Sequence, residues 1–220
     1  MTMKSHAMVG VLRLLKSIVT TVCAVIAFSM SAPVAKAVAV QWSVGAGGND
    51  HFYEVIQAPS GITWEAANTA AMGMGGHLAT ITSAEENAFV FGLVDDFSSF
   101  WFTSTHSASL GPWLGGLQPA GSGEPAGGWT WVTGEAFTYE NWAPGEPNDS
   151  PSSGPNENRI HFFNQTPGAT APTWNDLAAA TTQPPRSYVV ERPAIPEPST
   201  ALLLGLGMLG AGLIRRKRRA

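Results

Sequence analysis

The chain has 220 residues, 44% of them hydrophobic and 13% charged, which suits one domain or two small ones and excludes a mainly disordered protein. Its net charge of -4 is unevenly spread, because nine of the 12 Lys and Arg lie near the two ends while all 16 Asp and Glu lie between Val38 and Ser199. In that middle Arg159, Arg186 and Arg192 stand against the 16 acidic residues, a balance of -13 that repels phosphate and argues against nucleic-acid binding.

The chain opens with a basic region (Lys4, Arg13, Lys16), an apolar stretch from Ile18 to Phe28 and the small-residue sequence Ala35-Lys36-Ala37. That order predicts a secretory signal peptide over residues 1–37. A membrane anchor needs a longer apolar run than Ser29, Ser31, Pro33 and Lys36 allow. Cys23, the only cysteine, lies inside this segment, so the exported chain would hold no disulfide and must draw its stability from packing or bound metal.

Residues 38–192 read as one α+β domain containing all eight tryptophans. His51 to Gln57 has strand composition and is followed by a turn at Pro59 to Gly61. Thr63 is placed to cap a first helix with Glu65 in its first turn and Trp64, Ala67 and Ala71 on one face, ending in Gly73, Gly75 and Gly76. A short strand is expected over Leu78 to Ile81. Ser83 and Glu86 then have capping-box spacing ahead of a second amphipathic helix through Phe89, Val90, Leu93 and Val94. Short strands are predicted over 113–117, 129–132, 135–142, 159–163, 173–177 and 188–191. The intervening stretches 97–112, 119–128 and 143–156 are rich in Gly, Pro and Ser, and loops of that length are often functional.

Four spaced elements carry the chemistry: Gly76-His77-Leu78-Ala79-Thr80-Ile81 with its Ser-x-x-Glu helix, Trp113-Leu114-Gly115-Gly116, Glu146-Pro147-Asn148, and Trp174-Asn175-Asp176. In this order, with Tyr188-Val189-Val190-Glu191 closing the domain, the set resembles the C-type lectin-like domain. The resemblance implies two helices packed on short antiparallel sheets with a long loop region. It also implies a calcium ion held by Glu146, Asn148, Glu157, Asn175 and Asp176 that coordinates two sugar hydroxyls, with mannose- or glucose-type ligands accompanying Glu-Pro-Asn and a cis bond before Pro147. The residue chemistry agrees: calcium is a hard cation taking 6 to 8 oxygen ligands, and Glu146, Glu157 and Asp176 bring three negative charges against its two positive.

The chain departs from the family pattern in lacking the cysteines that usually fasten the domain, with Arg159 near a position where one is expected. Eight residues, Asp149 to Asn156, separate Asn148 from Glu157, and Asp149 competes with Glu157 as the third acidic ligand. Taken alone, Glu146-Pro147-Asn148 would be a surface turn. Trp113, Trp129, Trp131 and Trp174 are assigned to packing rather than to sugar stacking. His77, His106 and His161 lie in no metalloprotease or nucleophile-elbow spacing and read as ordinary strand and loop residues. Asn148-Asp149-Ser150 and Asn164-Gln165-Thr166 fit the N-glycosylation pattern, which usually has no consequence in bacterial export.

The chain ends in Pro196-Glu197-Pro198, the apolar run Ala201 to Ile214 and the basic cluster Arg215 to Arg219. These three parts, within residues 193–220, resemble the PEP-CTERM sorting tail, which implies a bacterial exported protein handled by an exosortase-type enzyme. Fourteen residues at about 1.5 Å each span about 21 Å, short of the ~30 Å hydrocarbon core, so a transient or marginal inner-membrane anchor is expected. The basic end would favour the cytoplasmic side. Gly205, Gly207 and Gly210 have the spacing of a dinucleotide loop, but no strand precedes them and no acidic residue follows.

These readings point to a non-enzymatic, exported, calcium-dependent carbohydrate-binding protein of the cell surface or extracellular matrix, with exopolysaccharide a candidate ligand. The alternative is a structural or adhesive matrix protein that binds protein, with calcium only ordering the loops. A hydrolase using the loop carboxylates is the third reading, and no residue spacing favours it.

Overall fold

The computed structural model describes residues 38–105, 108–151 and 156–194. The expected signal peptide with Cys23, the apolar run 201–214 with its basic end, and His106 lie outside the described residues. Among the described residues no helix is long and apolar enough to cross a membrane.

Among the described residues, nine strands and two α-helices follow the chain as β1 (Val40–Gln41), β2 (Phe52–Gln57), α1 (Trp64–Gly73), β3 (His77–Leu78), α2 (Ala84–Gly92), β4 (Phe102–Thr103), β5 (Ser109–Leu117), β6 (Thr130–Trp131), β7 (Glu157–Asn164), β8 (Trp174–Ala178) and β9 (Ser187–Arg192). The sheet order is β1-β2-β9-β5-β7-β8, with β3 beside β9 and both β4 and β6 beside β5. The first and last long strands, β2 and β9, pair antiparallel from Phe52 with Arg192 to Gln57 with Ser187, so the domain closes on itself. β5 meets β9 in parallel at Trp113 and Tyr188, joining that closing hairpin to the β5-β7-β8 region where the long loops emerge.

The local signals explain both helices. Thr63 Oγ1 accepts a hydrogen bond from the Ala66 amide at the start of α1, and Ser83 Oγ accepts one from the Glu86 amide, at 3.1 Å, at the start of α2. The expected capping box is only half formed. Glu86 passes over the Ser83 amide and instead accepts from the amide and hydroxyl of Thr82, at 2.7 and 2.8 Å, because its other oxygen is drawn inward to the Tyr53 hydroxyl at 2.5 Å.

Two regions differ from the sequence-based expectation. β5 starts four residues before Trp113, since Ser109 and Leu110 pair with Asn164 and Phe163 of β7. Residues 135–142 form no strand, apart from an isolated bridge at Trp142. Their alternation is satisfied by a single ring: Phe137, Tyr139 and Trp142 pack around Trp174 with centroids at 6.4, 5.6 and 5.9 Å, and Trp131 closes the group at 5.8 Å.

Trp113, Trp131 and Trp174 are almost wholly buried, and the core falls into one cluster around Trp174, Ile160 and Phe162 and another around Trp113, Leu110 and Leu177. Gly115 permits the close crossing of β3 over β5, because a Cβ there would come within 2.5 Å of the Leu78 carbonyl oxygen. Arg159 lies 4.6 Å over the Trp64 ring and 3.1 Å from Glu65, tying β7 to α1 without a disulfide.

Candidate functional site

Two distant stretches meet through backbone bonds at Trp174. Its amide donates to the Asn141 carbonyl and its own carbonyl accepts from the Ala143 amide, each at 2.8 Å, which lays residues 141–143 alongside the start of β8. Gly145, with a φ of 90° open mainly to glycine, then turns the chain so that Glu146-Pro147-Asn148 returns beside Asn175 and Asp176. The Glu146–Pro147 peptide bond is cis, as the family resemblance implied.

Glu146, Asn148, Glu157 and Asn175 line one cavity of about 300 Å³. Asp176 lies fully buried against the Glu-Pro-Asn loop. Its carboxylate accepts the Asn148 amide at 3.1 Å on both oxygens and the Asp149 amide at 2.8 Å. Glu157, 3% exposed, accepts the Ser150 amide at 2.6 Å. Asp149, the competitor for the third acidic position, turns its Oδ1 onto the Glu157 amide at 2.8 Å and does not line the cavity. The loop is therefore held at both ends by the acidic residues proposed from sequence.

Three carboxylates share this region, and the cavity lining contains no Lys or Arg. Burial, followed by the charges of Asp176 and Glu157, pushes the Glu146 carboxyl up to about 7. Burial also raises Asp176, an effect that the amides of Asp149 and Asn148 oppose. One carboxyl oxygen of Glu146 is buried without a hydrogen-bond partner. That unpartnered oxygen, the crowded negative charge and the purely oxygen donor set match the needs of a hard divalent cation. Among the described residues, however, no group of three or more His, Cys, Asp or Glu side chains is positioned to hold a metal ion, and Asp176 and Glu157 are turned onto loop amides instead.

His161 belongs to the site in a way that the sequence did not suggest. It is the cross-strand partner of Asn175, wholly buried, and its Nε2 accepts from the Asn175 amide nitrogen at 3.2 Å. Burial holds its pKa down to about 3, so the ring is neutral and acts as an acceptor there. The far wall of the cavity, including Ser104, Gln165 and Thr181 to Gln183, was also missed, because it is assembled from three loops. Only the alternation of His161 with Phe163 along β7 offered a sequence signal that these residues share a face.

Comparison with known proteins agrees with the fold. The family model for the Lectin C-type domain matches residues 60–177, and that for the PEP-CTERM protein-sorting motif matches residues 194–219. A perlucin-like protein of Mytilus galloprovincialis is 31% identical over 127 residues, covering 57% of this chain and 69% of its own length. A type-2 ice-structuring protein of Hemitripterus americanus is 34% identical over 91 residues, covering 40% of this chain but 43% of its own. The cow CD23 C-type carbohydrate-recognition domain, solved in the presence of a GlcNAc2Man3 oligosaccharide, aligns with a TM-score of 0.48 at 23% identity, covering 66% of this chain and 90% of that one. With the ordered motifs, two helices and mixed sheet described above, the match over more than half its length means that the chain belongs to the C-type lectin domain family.

Proposed function

We propose that the chain is an exported, calcium-dependent carbohydrate-binding protein of the bacterial surface or extracellular matrix, in which residues 1–37 direct export, 38–192 bind ligand and 193–220 are handled by an exosortase-type enzyme. The apolar run 201–214 would anchor the chain in the inner membrane, transiently or permanently. The supporting observation is the convergence of Glu146, Asn148, Glu157 and Asn175 on one cavity beside the buried Asp176.

In this reading those five residues hold calcium. The bound ion supplies outer coordination positions for two adjacent hydroxyls of a mannose- or glucose-type sugar or an exopolysaccharide. The carboxylates accept hydrogen bonds from the hydroxyls and the Asn148 amide group donates to them, so the ligand is bound without being turned over. Asn175 has its amide nitrogen committed to His161 and to the Asp176 carbonyl, which aims its own side-chain oxygen elsewhere and suits it to cation binding. Thermal unfolding with calcium, with EGTA and with a sugar panel tests the reading. Calcium should raise the midpoint by mass action and a bound sugar should raise it further, while Glu146→Gln or Asp176→Asn should remove both responses.

The amides of Asn148, Asp149 and Ser150 seated on Asp176 and Glu157 favour a second reading, in which the acidic residues serve loop order and the domain binds matrix protein. That reading keeps a calcium response but gives no saturable sugar binding.

A further inference from the structure

The domain gathers its exposed apolar side chains where the chain leaves it. Of the five large hydrophobic side chains exposed among the described residues, Val38, Val40 and Val44 lie in or beside β1, Met72 lies near the end of α1, and only Phe97 lies elsewhere. The register explains the grouping. Arg192, the last residue of β9, pairs with Phe52 of β2, which pairs in turn with Gln41 of β1. At about 4.8 Å per strand, β1 therefore stands about 10 Å from the point where the tail departs. On the other edge of β9, a Cβ on Gly76, four residues after Met72, would come within 2.7 Å of the Arg192 side chain.

Charge is missing from the same face. Residues 38–49 and 66–76 contain no Asp, Glu, Lys or Arg, although the balance from Val38 to Ser199 is -13. The carboxylates nearby are engaged: Glu54 pairs with Arg192, and the buried Glu191 is held by His51. The turn after β1 also satisfies its own backbone. The amides of Val44, Ala46, Gly47 and Gly48 all donate within it at 2.9 Å, to Asp50 Oδ1 and to the Ser43 and Val44 carbonyls, so little of it must face water. Trp42, stacked on Phe89 at 5.6 Å, roots the turn on α2.

An uncharged apolar face on an acidic domain suits a partner that is apolar itself. The tail decides what lies within reach. Eight residues, 193–200, join Arg192 to the apolar run beginning at Ala201, and at about 3.3–3.6 Å each they extend about 30 Å at most. A tether that short keeps this face beside whatever holds the run, at an effective concentration of about millimolar. Anionic lipid repels the acidic remainder of the surface, which leaves this face to approach it.

We infer that the face around Arg192, with Val40 and Val44 on one side of the exit and Met72 on the other, rests on the membrane in which the run 201–214 is inserted. The inference rests on the membrane-anchor reading above and adds the surface that meets lipid. It also fixes how the domain stands on the membrane, since Phe97 lies near the far end of the same strands. There Ser187, five residues from Arg192 along β9 and about 17 Å away, donates its hydroxyl to the Phe100 carbonyl, and its partner Gln57 donates to the Ser99 carbonyl.

The test uses the full chain with Cys23→Ser, reconstituted into vesicles of phosphatidylethanolamine and phosphatidylglycerol, with one environment-sensitive fluorophore on Val44→Cys, Met72→Cys or Phe97→Cys. All three positions are exposed, so each label should leave the fold intact. Lipids carrying a nitroxide at headgroup depth should quench most of the emission at 44 and 72 and little at 97. Val40→Glu with Val44→Glu should restore the emission at 72, because two added carboxylates oppose lipid contact without reaching the core. Equal quenching at all three positions, or none at 44 and 72, would overturn the docking while leaving the anchor in place. A label at 44 shielded from water but not quenched by lipid would mean that a second copy or the chain's own tail covers the face, which also overturns it; dilution into excess lipid separates the two. A label on Leu206→Cys reports the anchor itself. If quenchers in the bilayer interior leave it bright, the run is not inserted and the docking falls with that reading.

Discussion

The side-chain amide of Asn175 donates to Nε2 of the buried, neutral His161 across the β7-β8 ladder and to the Asp176 carbonyl, and these two bonds fix the orientation of the Asn175 amide at the cavity wall. Groups that orient a metal ligand from behind typically change metal affinity about 10–100-fold when removed. On the proposed calcium-binding reading, His161→Leu leaves only the Asp176 carbonyl to hold that amide and should weaken calcium binding by up to about tenfold, measured by calorimetry. The ring is buried among Trp113 and Phe163, so an apolar replacement should keep the domain folded. Unchanged calcium affinity in a folded His161→Leu variant would remove the positioning role.

Glu146 gives the site a pH dependence of known sign. Its folded pKa, about 7, stands above the ordinary 4.5, so between those values the calcium-free folded protein binds a proton more tightly than the unfolded chain does. The contribution of Glu146 to stability accordingly rises as the pH falls from 7 to 4.5, and above 7 its ionisation costs stability. Calcium needs the ionised carboxylate, so its effect runs the other way: the midpoint rise produced by calcium should be largest near pH 8 and shrink below 7. Unfolding midpoints with calcium and with EGTA across this range check both slopes. Glu146→Gln should flatten the calcium-free slope across this window, and a calcium response that does not change between pH 8 and 5.5 would exclude Glu146 as a ligand.

The features legible in the sequence are those encoded within a few residues. Thr63 and Ser83 cap their helices because a cap needs only the amide three positions on, and Trp174-Asn175-Asp176 is recognisable because all three residues act where they stand. The strand expected over 135–142 was misread for the opposite reason: its aromatic alternation serves one ring, Trp174, rather than a neighbouring strand. Spacing could not separate Glu157 from Asp149 either. Asp149 and Asn156 take left-handed backbone conformations, with φ of 47° and 59°, and those turns decide which carboxylate faces the cavity. His161 was hidden because its role depends on the register of β7 against β8.

Arg159 takes over a fastening role in a domain without disulfides. Its guanidinium lies over Trp64, while its ion pair with Glu65 involves a carboxylate that is 54% exposed and so adds little. The stacking should dominate, at ~0.5–2 kcal/mol. Arg159→Ala is expected to destabilise by about 1–2 kcal/mol in denaturant titration, and Arg159→Lys should recover only part of that, because an ammonium lacks the planar face that stacks on the indole. Glu65→Ala should cost much less. Equal losses from Arg159→Ala and Glu65→Ala would make the ion pair, rather than the stack, the fastening.

Away from the cavity, the Tyr53 hydroxyl joins two carboxylates that are each 2% exposed, donating to Glu86 at 2.5 Å and lying 3.2 Å from Glu191. Glu191 is held besides by His51 at 2.6 Å and the Thr80 amide at 2.9 Å, whereas Glu86 has Asn49 and Thr82 as its other partners. Burial raises the Glu86 pKa and the Tyr53 hydrogen bond opposes that rise. Tyr53→Phe leaves the ring packing and removes the donor, so the loss should be about 1–3 kcal/mol, the usual cost of a buried polar group deprived of its partner. It should also depend on pH. A raised carboxyl destabilises the fold when ionised and is relieved when protonated, so the variant's loss should be largest where Glu86 is charged and should shrink as the pH falls through its raised pKa. Denaturant titrations from pH 8 down to pH 4 decide the matter: a loss that does not change with pH would mean that the hydroxyl acts through the bond it accepts from Asn49, at 2.9 Å, and not through the Glu86 carboxylate.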